Sequence, residues 1–218
     1  MLNEITTLLK KDFTSEFRQK ATLNGILLYV ASTVFIAYQV FNAIEELTTW
    51  IALFWIILVF ASTNASINSF KAESSQAYYY YYSLCSASSI IFSKLIFNAS
   101  LLLVTAGLTF GLFVLLMGNP IENSILFSLV LLLGILAIAS TLTLVSAIAS
   151  KTNNNSTLTA ILSFPILLPV LLTAIKASVL CGLGFGWEDC VVYVSTLGLL
   201  NLLTIALSYV LFPYLWRS

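Results

Sequence analysis

Long apolar stretches alternate with short polar breaks along this chain. Six stretches run roughly over 23–42, 49–69, 95–117, 124–149, 157–180 and 191–214. Each is about 20 residues or longer, enough for a helix to cross a hydrocarbon core of roughly 30 Å. Ahead of them, Ile5, Leu8, Leu9, Phe13 and Phe17 recur at spacings of three and four, while Lys10, Lys11, Asp12, Glu16 and Arg18 fall mostly elsewhere on the helical wheel. That pattern predicts an amphipathic helix over 1–21, lying in the headgroup plane. The competing reading is a solvated leader that only supplies positive charge. A cleaved signal peptide does not fit, because a polar segment of about 20 residues precedes an apolar stretch longer than the usual 7–15. The expected fold is all-α: a single membrane domain over 1–218, with six transmembrane helices behind an interfacial one.

Composition strengthens this reading. Hydrophobic residues make up 60% of the chain and charged residues 8%, against about a quarter charged in an ordinary soluble domain. The net charge of zero hides a sidedness. Counted from a cytoplasmic N-terminus, the inner segments hold Lys10, Lys11, Arg18, Lys20, Lys71, Lys94, Lys151 and Arg217. The outer breaks hold only Glu45, Glu46, Glu122, Glu188 and Asp189. Basic residues near short loops stay on the cytoplasmic side, so both termini are expected there.

The missing residue types narrow the function. There is no histidine, which removes the commonest general base and metal ligand. No Gly-x-x-x-x-Gly-Lys-Ser/Thr loop is present to cradle ATP phosphates. The nine acidic residues lie in the N-terminal segment or the breaks, whereas ion-coupled carriers usually place carboxylates or broken-helix sites within the membrane. No catalytic, cofactor-binding or metal-binding residues are expected, and no nucleic-acid contact. A six-span permease without its own motor fits a plan in which a separate ATPase subunit binds ATP and magnesium.

Four segments are candidates for function. The break over 70–94 contains Phe70, Lys71, Glu73, a run of five tyrosines from Tyr78 to Tyr82, and Lys94. Its length and side suggest a short in-plane helix that receives the ATPase stroke through Phe70, Lys71, Glu73 and Lys94; an interfacial tyrosine belt is the plainer reading. Pro165 and Pro169, four apart, share a helix face, and each removes a backbone donor, as expected of either a hinge or pathway helix or a static kink. Lys176, near the outer end of the same span, either snorkels to the interface or attracts an anionic group at an exit. Cys181 and Cys190 flank the last outer break and are equally readable as a disulfide or as two apolar thiols. Gly107 and Gly111 form a small-residue pair, expected to serve packing inside the chain before a dimer interface.

The order of segments resembles a known family. The relevant residues are Lys11-Asp12-Phe13 with Glu16-Phe17-Arg18, then Ser69-Phe70-Lys71-Ala72-Glu73 after the second span, Lys94-Leu95 entering the third, and Phe164-Pro165 with Leu168-Pro169-Val170-Leu171 in the fifth. Together they are similar to haem exporter protein B, the permease of an ABC-type transporter in cytochrome c maturation. The resemblance covers essentially the whole chain. It implies a homodimeric permease in a bacterial inner membrane, working with a cytoplasmic ATPase of the haem exporter protein A type. It further implies association with the haem-handling protein C and a small membrane subunit, with haem as cargo. Members tend to carry more charge after the second span, where this chain has Ser74, Ser75, Gln76 and the tyrosines. Without histidine, any haem contact would use apolar walls, Tyr, Met117 or another subunit. The alternatives are an exporter of another cargo, such as a lipid or drug, or a non-transporting scaffold of a haem-handling complex.

Overall fold

The computed structural model describes residues 2–19, 21–41, 46–71, 85–149 and 155–217. Among them are seven helices: α1 (Leu2–Gln19), α2 (Ala21–Phe41), α3 (Leu47–Lys71), α4 (Ala87–Met117), α5 (Ser124–Ala149), α6 (Asn155–Gly182) and α7 (Trp187–Arg217). The last six are long and apolar enough to cross a bilayer, so the expected all-α, six-span architecture holds. Two spans start earlier than hydropathy placed them. Helix α4 begins at Ala87, where Ser86 caps it by accepting from the Ser89 amide. Helix α7 begins at Trp187, which puts Glu188 and Asp189 in its first turn, where the positive end of the helix dipole favours carboxylates. Polar residues at a helix start obscure its beginning to a hydropathy scan.

Helix α5 is the centre of the bundle and packs against α3, α4, α6 and α7. From Ala137 to Ala147 every residue is buried. The stretch is rich in small residues (Ala137, Ala139, Ser140, Thr141, Thr143, Ser146, Ala147), and small side chains let helix backbones approach closely where lipid offers no hydrophobic drive between helices. Hydroxyls and amides join the helices here. Asn98 of α4 donates to Thr143 Oγ1 at 2.8 Å. Ser140 Oγ donates to Asn201 Oδ1 of α7 at 3.3 Å and lies 2.6 Å from Thr204 Oγ1. Replacing Asn201 with Leu should cost about 0.6 kcal/mol, and at most about 1.7, the measured range for such bonds between membrane helices. Thermal unfolding of the purified protein in detergent checks this.

At the end of the bundle opposite α1, the core is aromatic. Trp50, Phe54, Phe110, Phe113 and Phe127 meet mostly edge to face, with Trp50 and Phe113 centroids 5.2 Å apart at 80° and Phe54 and Phe113 at 5.5 Å and 83°. Such geometry matches the positive ring edge to the negative face. Trp55 Nε1 donates to Ser178 Oγ at 2.9 Å, tying α3 to α6.

Gly107 and Gly111 do not serve packing within the chain. Both lie on an exposed face of α4 with nothing within 4 Å of an added Cβ. The close approaches fall at Gly134, facing Trp55, at Gly182, facing Leu47, and at Gly184, facing Glu122.

Candidate functional site

Charge, capping and apolar contact come together where α1 runs alongside the first turns of α4. Helical spacing stacks Glu4, Leu8 and Asp12 in one line, and Ser86, Ile90 and Lys94 in another. The contacts advance in the same direction along both helices. The Ser86 amide donates to Glu4 Oε2 at 3.3 Å, and the Ser86 hydroxyl lies 3.1 Å from the same oxygen. Leu8 is buried in a cluster with Ile90, Ile91 and Leu95 of α4, Ala147 of α5 and Phe212 of α7. Lys94 Nζ lies 3.2 Å from Asp12 Oδ2. One turn further on, Phe13 meets Phe97 edge to face at 5.2 Å.

The ion pair is a buried one, with side-chain exposures of 4% at Lys94 and 8% at Asp12. Lys11, more exposed, lies 3.2 Å from Asp12 Oδ1. Taking two charges out of water is costly unless each finds its counter-charge in good geometry, so the pair holds α1 in one register on α4. At the start of α4, Glu4 is a half-buried carboxylate on a helix N-terminus. The Ser89 hydroxyl, the Ser86 amide and the Ser86 hydroxyl hold its carboxyl down to about 2; these bonds favour the charged form. A carboxyl depressed in the folded state stabilises above its unfolded value near 4.5 and loses that contribution as pH falls through the folded one. The α1–α4 contact should therefore be unchanged around neutrality and loosen between pH 4.5 and 2, whereas a Glu4→Gln variant should lose that response. Hydrogen exchange at the Ile90 amide, which closes the first turn of α4 on Ser86, reports it.

This arrangement corrects two sequence-based expectations. The apolar face of α1 packs on protein, not on a lipid surface alone, and Asp12 sits on that buried face. Lys94 was expected at the mouth of the third span, as a surface contact for an ATPase. It lies two turns inside α4, buried, with its Nζ 3.2 Å from Asp12 Oδ2, so it offers no surface contact in this structure. The segment over 70–94 divides accordingly. Phe70 and Lys71 form the last turn of α3 and 87–94 belong to α4, while Glu73 and the tyrosine run fall outside the described residues.

The other candidates lie elsewhere. Helix α6 continues through both prolines, and Pro165, Pro169 and Lys176 all lie on its exposed side. Its packed side is Ser163, Leu167, Val170, Ala174, Ala177, Ser178 and Cys181. The prolines and the lysine thus share an outward face of α6. Cys181 and Cys190 are brought together as unbonded thiols, 3.9 Å apart. Sequence reasoning missed the Asp12–Lys94 pair and the Ser140–Asn201–Thr204 cluster. The available signals were an acid four residues after Leu8 on an apolar stripe, and asparagines within spans, where a polar side chain seeks a partner.

A family model described as CcmB protein matches residues 3–214. The chain belongs to the CcmB family. The match begins within α1 and ends near the end of α7, so the docked N-terminal helix and all six spans fall inside it. A comparison with curated proteins finds no match. CcmB proteins are multi-pass membrane transport components of haem export and c-type cytochrome biogenesis, in agreement with the resemblance read from the segments at 11–18, 69–73 and 164–171.

Proposed function

We propose that this CcmB-family chain is the permease subunit of an ABC-type complex that delivers haem across a bacterial inner membrane for cytochrome c maturation. The observation that carries the reading is the family match over nearly the whole chain. Energy comes from a separate cytoplasmic ATPase subunit that binds ATP and magnesium, and this chain hydrolyses nothing itself. Both termini are cytoplasmic, in line with the basic residues at 10–20, 71, 94, 151 and 217.

The α1–α4 joint supports a route for the stroke. A push on α1 reaches α4 through Asp12–Lys94 and Glu4–Ser86, and one on the segment between α3 and α4 that includes Glu73 reaches α4 along the chain. Helix α4 bears on α5, which bears on α6 and α7. A second copy completes the permease, and the outward faces of α4 at Gly107 and Gly111 and of α6 at Pro165, Pro169 and Lys176 are free to meet it or the cargo. The haem-handling protein C and a small membrane subunit complete the assembly.

The test is covalently bound c-type haem in membranes of a strain lacking the protein. Loss of c-type haem with b-type haem preserved, restored by the intact chain, is the expected result. Normal c-type haem in the deletion strain, with no second copy present, removes the haem assignment. An ATPase-inactive partner that leaves c-type haem normal would favour a scaffold over a transporter.

A further inference from the structure

At the end of the bundle opposite α1, two thiols that the transport reading does not use lie against each other. Cys181 is in the last turn of α6 and Cys190 in the first turn of α7. Their sulfurs are 3.9 Å apart and both residues are fully buried. The backbone around them is well tied. The Cys181 carbonyl accepts from the Asn123 amide at 3.0 Å and the Gly184 amide at 3.3 Å, and the Cys190 amide donates to the Gly186 carbonyl at 3.4 Å. Gly184 turns the chain at φ +79°, a left-handed conformation that suits glycine, and the Glu122 carboxylate lies against it. Asn123 Nδ2 also donates to the Phe185 carbonyl at 3.3 Å. The two cysteines are therefore carried on a short hairpin pinned to the neighbouring α4–α5 connection. A disulfide is about 2.05 Å long, so from 3.9 Å the sulfurs need to close by about 2 Å.

We propose that Cys181 and Cys190 form a structural disulfide in the mature protein, made before the α6–α7 hairpin packs into the bundle. The proposal rests on the orientation given above, which puts this hairpin on the oxidising side of the membrane. The reaction is thiol–disulfide exchange with an oxidised dithiol oxidoreductase. One cysteine thiolate attacks the oxidant's disulfide to give a mixed disulfide. The second thiolate displaces the oxidant, which leaves as a dithiol carrying two electrons, while the cysteines give up two protons. Burial sets the timing. Once the hairpin has packed, neither sulfur is open to oxidant or reductant, which distinguishes this pair from exposed redox-sensing thiols.

The experiment uses the full chain purified from membranes after acid quenching, then denatured and treated with N-ethylmaleimide before or after reduction. One adduct per chain before reduction (at Cys85) and three after is the expected result. Three adducts before reduction overturn the disulfide. Exposing the folded protein to dithiothreitol before the quench should still leave one adduct, and ready opening under those conditions overturns the buried, structural reading. Orientation is scored separately with Gly186→Cys in a chain whose three native cysteines are alanine. Gly186 is exposed, with nothing within 4 Å of an added Cβ. Labelling by a membrane-impermeant maleimide outside intact spheroplasts upholds the orientation. Protection there, together with three adducts in the native chain, traces the failure to the orientation itself.

Discussion

Asp12→Asn lowers the stability of the folded protein by about 3–5 kcal/mol, the cost typical of removing one partner from a buried ion pair. The loss arises because Asp12 lies 3.2 Å from a Lys94 ammonium that is only 4% exposed, where the attraction between the two charges is screened little by water. Lys94→Met costs less, because Lys11 still lies 3.2 Å from Asp12. The double variant Asp12→Asn with Lys94→Met recovers much of the loss, since an apolar replacement of a buried pair is often neutral. A double-mutant cycle on thermal unfolding in detergent gives the coupling energy directly. If both single variants unfold like the parent, the pair does not hold α1 to α4. The same series run on c-type haem separates fastening from coupling. A double variant that is stable but fails to restore c-type haem would show that the charge pair itself acts in the transport cycle.

Trp55→Ala is the second large effect, expected at about 2–4 kcal/mol. Truncating a buried Trp in a soluble core typically costs about 3–5 kcal/mol. In a bilayer the reference medium is as apolar as the side chain, so the transfer contribution shrinks and the lost packing contacts dominate. Trp55 fills its site from two sides. Its indole N–H donates to Ser178 at 2.9 Å, and its ring lies so close to Gly134 that a Cβ there would come within 2.5 Å of it. Gly134→Leu should therefore also destabilise, by about 1–3 kcal/mol, because the fully buried ring has nowhere to move. Trp55→Ala combined with Gly134→Leu should be milder than the sum, the new side chain occupying part of the void. Strict additivity would mean that the two residues do not share one packing site.

The two sets of residues lie in different parts of the bundle and report different things. The Trp55–Gly134–Ser178 contact joins α3, α5 and α6, so its loss should lower stability without a specific effect on transport per folded molecule. The Asp12–Lys94 pair joins the amphipathic helix to the first span after the 72–84 segment. Its loss should show in transport even where folding is rescued.

The sequence by itself determined that the chain is all-α, that it crosses a bilayer six times, and that an amphipathic helix precedes the first span. Length and apolarity suffice for that, because a backbone in lipid must satisfy its own hydrogen bonds and a helix does so wherever about 20 apolar residues run together. The segments at 11–18, 69–73 and 164–171 also carried enough to point to the family. Which face of each span packs was decided only by the tertiary structure. Lipid is as apolar as leucine, so an apolar residue facing lipid looks the same in sequence as one facing another helix. The Gly107–Gly111 pair therefore read as packing and turned out exposed, while Gly134 carries the close approach. The same gap hid the partner of Asp12. By spacing, Asp12 fell with the polar residues of α1, and a carboxylate 82 residues from its lysine finds it only when α1 is laid along α4. For Cys181 and Cys190 the sequence put two thiols on either side of a short turn. The packing of α6 on α7 brought their sulfurs to 3.9 Å, with the end of α6 and the turn after it pinned to the connection between α4 and α5.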